Sequence, residues 1–206
     1  MNDFERDNAW QRQVRDEILA PGFYGKYASD GRYVFVDKGR LATTLQRRYA
    51  VDTILQGSDG RAVCIDEKIV RWPGYVYENF CLETHSCTVP GHESDGWMRY
   101  GQADFLLYCF QTESGDLDSY LIDFPKLQAW FWPHAETYPA FQMETLNRSA
   151  GRLVPIAEVS RIVPTWRFRI ERPYDADDDF TRSIEDCYRA VREREANGEP
   201  GWEPRK

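Results

Sequence analysis

"AVDTILQGSDGRAVCIDEK", residues 50–68, is the stretch on which the reading of this chain turns. Its "GSDG" is a hairpin-type turn between two runs of strand character, residues 48–56 and 61–72. Side chains alternate along a strand, so Cys64, Asp66, Lys68 and Val70 share one face and Val63, Ile65, Glu67 and Ile69 the other. Closing the hairpin brings Asp52 across from the face that carries Asp66 and Lys68. The flanking "AVCI" and "IV" are apolar on both faces, as in a central strand, where charged groups are costly unless something pairs with them. Two carboxylates and a backbone carbonyl between them form a hard, oxygen-rich site of the kind Mg²⁺ takes, with positions left for water and phosphate. A lysine beside such a site can orient or deprotonate an attacking water. The alternative for Asp66 and Lys68 is a solvated edge strand whose charges discourage pairing. Parity sends Glu67 away from Asp66, to the surface or into a salt bridge.

Outward from the hairpin the pattern alternates between helix and strand. Phe4, Trp10, Val14, Ile18 and Leu19 fall near helical spacing over residues 3–19, with Pro21-Gly22 as the expected stop. "GRYVFVDK" reads as a strand, as do "YENFCLETHSC", "ADFLLYCF", "SYLIDF" and "TWRFRIE". Pro125 suits the first turn of a short helix, "PKLQAWF". Residues 136–163 are ambiguous, a loop with a short helix around "PIAEVSRI". Residues 177–195 read as an amphipathic helix with Phe180, Ile184, Cys187, Tyr188 and Val191 on one face, ahead of a frayed tail, 197–206. The expectation is one α/β domain over residues 1–196.

"VD" followed after a turn by "CIDEK" resembles the PD-(D/E)XK, or restriction-endonuclease-like, nuclease superfamily, although Val51 stands where that motif often has proline. In that resemblance Asp52 is the motif aspartate, Asp66 its acidic position and Lys68 its lysine. Glu17 takes the place of an additional metal-binding or structural glutamate of the first helix. "GW" ahead of "GQADFLLYCF" is similar to small phage-type members and puts Gln102 near the site. The resemblance spans roughly residues 10–131. It implies a mixed β-sheet flanked by helices and hydrolysis of phosphodiester bonds, of DNA, with Mg²⁺ or Mn²⁺ held by Asp52, Asp66 and Glu17. Lys68 would position water, and Arg47, Arg48 and Arg71 would neutralise phosphate alongside the metal.

The 206 residues carry a formal net charge of −8, which weighs against coating nucleic acid through bulk electrostatics but leaves room for a locally basic cleft. The same acidity suits a rival from another class: a catalytically silent protein of this fold that binds or inhibits a basic, nucleic-acid-handling partner. A protein partner and a homodimer are both compatible with the sequence. No run of about 20 apolar residues is present, and the N-terminal stretch lacks a signal peptide's apolar core, so a cytoplasmic protein is expected. Five cysteines, an odd number, suit a reducing compartment.

Three further groups carry weaker signals. Cys81, His85, Cys87 and His92 could ligate zinc, against the simpler reading of cysteines buried on a sheet face. Glu78 or Glu83 could enter the acid site from a neighbouring strand. "WFWPH", with His134, and "TWRF" could stack bases, although core packing is the simpler use of such rings.

Overall fold

The computed structural model describes residues 3–25, 33–35, 45, 48–57, 62–71, 78–143 and 148–172. By internal contacts the chain divides into two units, Met1–Arg172 and Pro173–Lys206. The helix and tail expected beyond residue 172 lie outside the described residues, as does Arg47.

The first unit is a mixed α/β structure with two sheets. Helix α1 (Asp3–Val14) runs without a break into a π-helical stretch, Arg15–Tyr24. The expected stop at Pro21-Gly22 does not occur. A proline disrupts an α-helix by crowding the carbonyl four residues back and removing a donor. In the wider π register the bonding partners lie five apart, as in the Gly25 N–H to Ala20 carbonyl bond that closes the stretch. Burial of Trp10, Val14, Ile18, Leu19, Phe23 and Tyr24 holds this helix down where local propensity would end it.

The remaining elements are β1 (Tyr33–Phe35), β2 (Thr53–Gly57), β3 (Ala62–Val70), β4 (Asn79–Cys87), β5 (Ser94–Asp95), α2 (Trp97–Tyr100), β6 (Phe105–Gln111), β7 (Leu117–Asp123), α3 (Phe124–His134), β8 (Ala140–Gln142), β9 (Ala150–Pro155), α4 (Ile156–Ile162) and β10 (Thr165–Ile170). The larger sheet has the order β1-β2-β3-β6-β7-β10. All its neighbours are antiparallel except β3 and β6, whose parallel pairing makes the sheet mixed. The crossover between them carries β4, β5 and α2. The second sheet, β5-β4-β9-β8, resolves the segment that was ambiguous in sequence into β8, β9 and α4.

One face of the larger sheet packs on the first helix: Phe23 stacks on Phe168 of β10, and Tyr24 reaches Glu67 of β3. The other face is sealed by the main core, where Leu106, Tyr108, Tyr120 and Ile122 meet Phe80 and Leu82 of β4, Trp97 and Met98 of α2, and Leu127 and Phe131 of α3. Asp123 caps α3, accepting from the Lys126 N–H at 3.1 Å, with Pro125 in the first turn as its sequence suggests. Both faces of β3 are therefore covered, which makes it the central strand its apolar flanks imply.

Candidate acid–lysine site

Strand β2 begins at Thr53, later than the sequence implies. Arg48 and Tyr49 are helical, and Ala50 has φ 48°, a left-handed conformation that costs a residue with a Cβ about 1 kcal/mol or more. That reversal turns the chain from the helical turn into the strand and sets Asp52 at its mouth. The β2–β3 register pairs Thr53 with Ile65 and Ile54 with Cys64. Continued by one residue, it puts Asp52 opposite Asp66, as the hairpin reading requires. Two hydrogen bonds fix Asp52 there: its N–H donates to the Ile65 carbonyl at 2.9 Å, and its Oδ2 accepts from the Glu67 N–H at 2.8 Å.

Asp66 has no exposed surface. Its Oδ1 accepts from Lys68 Nζ at 2.7 Å, while its Oδ2 is buried with no hydrogen-bond donor. Burial, joined by the negative charge of nearby Asp52, pushes the Asp66 carboxyl well above the usual range despite the pull of Lys68. For Lys68 burial alone would lower the pKa, but Asp66, Asp52 and, further off, Glu83 raise it. These carboxylates hold Lys68 toward its ammonium form, which suits it to orientation and charge neutralisation, one of the two roles open to it in sequence.

Behind this pair, on the other face of β3, lies a network in which Glu67 takes the salt bridge that was one of its two expected roles, with partners, Arg15, Tyr24 and Thr53, that sequence reasoning missed. Glu67 is not at the surface; its side chain is 5% exposed and is the anion of a buried ion pair, Arg15 Nε lying 3.0 Å from Oε2 though not aligned as a hydrogen bond. Tyr24 Oη and Thr53 Oγ1 both donate to Glu67 Oε1, at 2.7 and 2.5 Å. Arg15 Nη2 also donates to Thr53 Oγ1 and, at 3.2 Å, to the Asp52 carbonyl. Burial and the Asp52 charge raise the Glu67 pKa, opposed by Arg15, Thr53 and Tyr24. The first helix thus grips the backbone of Asp52 from behind the sheet. The signal available in sequence was Arg15 beside Val14 on the helix's apolar side, a cation that needs an anion indoors.

On the side of the acids, α2 supplies aromatic walls. The Lys68 ammonium sits 5.0 Å from the Trp97 ring centroid. Tyr100 is half-buried, and its raised pKa comes first from burial, with the charges of Lys68, Glu83, Asp66 and Asp52 all felt at its hydroxyl. Glu83, on β4, accepts from Ser86 Oγ at 2.7 Å and faces Lys68 closely enough to raise its pKa.

No family model, curated protein or solved structure matches this chain. The site is therefore read from its own chemistry. Asp52, Asp66 and Lys68 are brought together. Glu17 is not brought to them: its polar contacts are Gln13, at 3.0 Å, and Arg172, at 3.7 Å. Among the described residues no three or more His, Cys, Asp or Glu side chains are gathered so as to hold a metal ion. What the site offers a cation is the facing carboxylates of Asp52 and Asp66, including the buried oxygen that lacks a donor. Arg48 is exposed, Arg71 lies over the Trp10 ring at 5.2 Å, and Gln102 is exposed with its N–H on the Tyr49 carbonyl, next to the approach to Asp52.

The zinc candidates are dispersed in character. Burial, with Glu83 nearby, pushes the Cys81 thiol up to about 12, which keeps it protonated, and His85 is exposed with Nδ1 3.0 Å from Thr84 Oγ1. His92 and Glu78 are exposed. His134 is exposed at the end of α3, its ring stacked on Trp130. No described helix is long and apolar enough to cross a membrane.

Proposed function

We propose that the chain is a divalent-metal-dependent phosphodiester hydrolase acting on nucleic acid, DNA in the first instance, built on a restriction-endonuclease-like core. The observation that carries this reading is the buried Asp66 oxygen without a donor, in a carboxylate that faces Asp52 and is held on its other oxygen by Lys68. A protein gains nothing in stability from placing two carboxylates side by side in a covered strand; a cation seated between them removes the cost. Two facing carboxylates supply the hard oxygen ligands that Mg²⁺ or Mn²⁺ takes, whose chemistry when bound is to polarise a phosphate and lower the pKa of water.

The chain's own residues then have separable roles. Asp52 and Asp66 hold the charge that binds the cation. Lys68 keeps its proton and places it toward a phosphate oxygen or a water's lone pair, stabilising charge that grows during in-line attack. Trp97 and Tyr100 bound the pocket on one side and exclude bulk water. Arg15, Thr53 and Glu67 fix the backbone that presents Asp52 and touch no reacting atom.

The test is incubation of the full chain with plasmid, linear and single-stranded DNA with Mn²⁺ or with a chelator. Cleavage is expected only with the metal, and Lys68→Ala is expected to retain the wild-type melting profile while losing cleavage. Undiminished cutting by that variant would end the assignment. Intact DNA together with an unchanged melting temperature in Mn²⁺ would favour the silent, partner-binding alternative, for which the net charge of −8 is the supporting observation.

A further inference from the structure

We infer that Arg99, braced on Trp132, is a phosphate-holding residue that seats the polynucleotide strand beside the acid–lysine pocket. The inference rests on the reading above for the class of ligand and on four observations for the place. First, the Arg99 guanidinium lies 3.9 Å from the Trp132 ring centroid, and its residue is exposed. A guanidinium stacked on an indole by its flat face keeps its in-plane N–H donors free for a bidentate acceptor. Second, among the described residues that side chain has no carboxylate partner, a state it shares with Arg48, Arg71, Arg148 and Arg161 but not with Arg15, Arg152, Arg167, Arg169 and Arg172, which form ion pairs.

Third, the platform is rigid. Trp132 Nε1 donates to the Met98 carbonyl at 3.1 Å, and Gln128 Nε2 donates to the carbonyls of Met98 and Gly101 at 3.1 and 3.0 Å. The one-turn helix α2 is thus bolted to α3 on both sides of Arg99. Fourth, that same turn forms a wall of the pocket: Trp97 and Tyr100, three residues apart and so on one side of it, are the residues in contact with Lys68 and in the field of the acids. Arg99, two residues on from Trp97, leaves the turn on its other side, over Trp132, so the phosphate it would hold is a neighbour along the strand of the one at Lys68 and not the same one.

Phosphate is the ligand favoured here, because the in-plane N–H edge of the guanidinium carries no anion and matches a bidentate oxygen acceptor, while Trp132 covers one of its two faces. In a chain of net charge −8, a cation left without an anion beside an acid pocket has a use: it offsets the repulsion that the pocket's own carboxylates exert on a polyanion.

The experiment measures fluorescence anisotropy of a short labelled single-stranded DNA with the full chain in chelator, across a range of chloride concentrations. Arg99→Gln is expected to weaken binding about tenfold, the loss of one charge-assisted contact, and to flatten the salt dependence by about 0.7 of a unit in the log–log slope. Arg99→Lys is expected to restore the slope. Arg161→Gln removes the same charge from the exposed surface of α4 and is expected to change neither quantity. Wild-type affinity and slope in Arg99→Gln, an equal loss in Arg161→Gln, or no binding by the wild type would each overturn the inference. So would displacement of the strand by inorganic phosphate at matched ionic strength, which would assign the place to the free anion. A chain that binds through Arg99 without cutting sinks the hydrolase reading and keeps this one; a chain that cuts with indifference to Arg99 does the reverse.

Discussion

Asp66 and Glu67 are neighbours on one strand, both buried and both ionisable, and the account assigns them opposite effects on stability. Glu67 is the acceptor for Arg15, Tyr24 and Thr53, so Glu67→Ala strands a buried guanidinium and two hydroxyls. Removing one partner of such a buried pair costs about 3–5 kcal/mol. Asp66→Asn is different. The charge assistance in the Lys68 contact is lost, about 1 kcal/mol. Against that, the amide ends the repulsion with Asp52 and replaces an oxygen lacking a donor by a group that can itself donate, a gain of about 1–3 kcal/mol. The net expectation is a gain of about 1 kcal/mol, or roughly 2–4 °C in melting temperature for a domain of this size, against a fall of roughly 10 °C for Glu67→Ala. Circular-dichroism melts in chelator at neutral pH, with urea titrations to give the free energies, read both variants in one experiment. Loss of stability in Asp66→Asn comparable with that in Glu67→Ala would refute the reasoning, because Asp66 would then be a structural partner of Lys68 and its unmatched oxygen would carry no functional meaning.

Two other expectations follow from the same packing. Gly96 lies against β4 so closely that an added Cβ would stand 2.5 Å from the Glu83 carbonyl oxygen, so Gly96→Ala is expected to cost about 1–3 kcal/mol and to disturb α2, measured by urea unfolding. Asp116 accepts from the Arg172 N–H at 2.9 Å, Arg169 Nε at 3.1 Å and Ser114 Oγ at 2.8 Å; burial alone would raise its pKa, but these bonds hold it below the usual carboxylate value. A depressed carboxylate stabilises above its unfolded pKa of about 3.9 and loses that contribution as pH falls through the folded value. Asp116→Asn is therefore expected to cost about 1 kcal/mol at neutral pH, with the gap from wild type closing below about pH 4 in urea unfolding at a series of pH values.

The pairing of β2 with β3 was legible because period-two alternation determines which side chains can meet, and Asp52, Asp66 and Lys68 do meet; the turn expected between the strands, at residues 58–61, lies outside the described residues. For Glu67 the sequence left a surface position and a salt bridge open, because alternation says which face a residue takes and not what covers that face; the structure shows the salt bridge, to Arg15. The covering element was the first helix, and its reach depended on a π-helical passage through Pro21-Gly22 that tertiary packing enforces against local preference. Glu83 was expected to approach from a neighbouring strand; that strand, β4, belongs to the second sheet, which the sequence did not show. The strands β8 and β9 were unreadable because β8 has only three residues and β9, "AGRLVP", opens on Ala-Gly and closes on proline without apolar alternation. The paired state of an arginine is also invisible in a sequence, which is why Arg99 was one of several cations there; Arg71 lies over Trp10 as Arg99 lies over Trp132, and what separates Arg99 is that its own turn carries Trp97 at Lys68.

The account stands on Asp52 and Asp66 forming a seat for a divalent cation. Titration of the full chain with Mn²⁺, followed by calorimetry and by loss of the free-ion paramagnetic resonance signal, tests that most directly. The prediction is saturable binding in the wild type that is lost in both Asp52→Asn and Asp66→Asn while their folds persist. Absent binding, or binding untouched by either substitution, would contradict it.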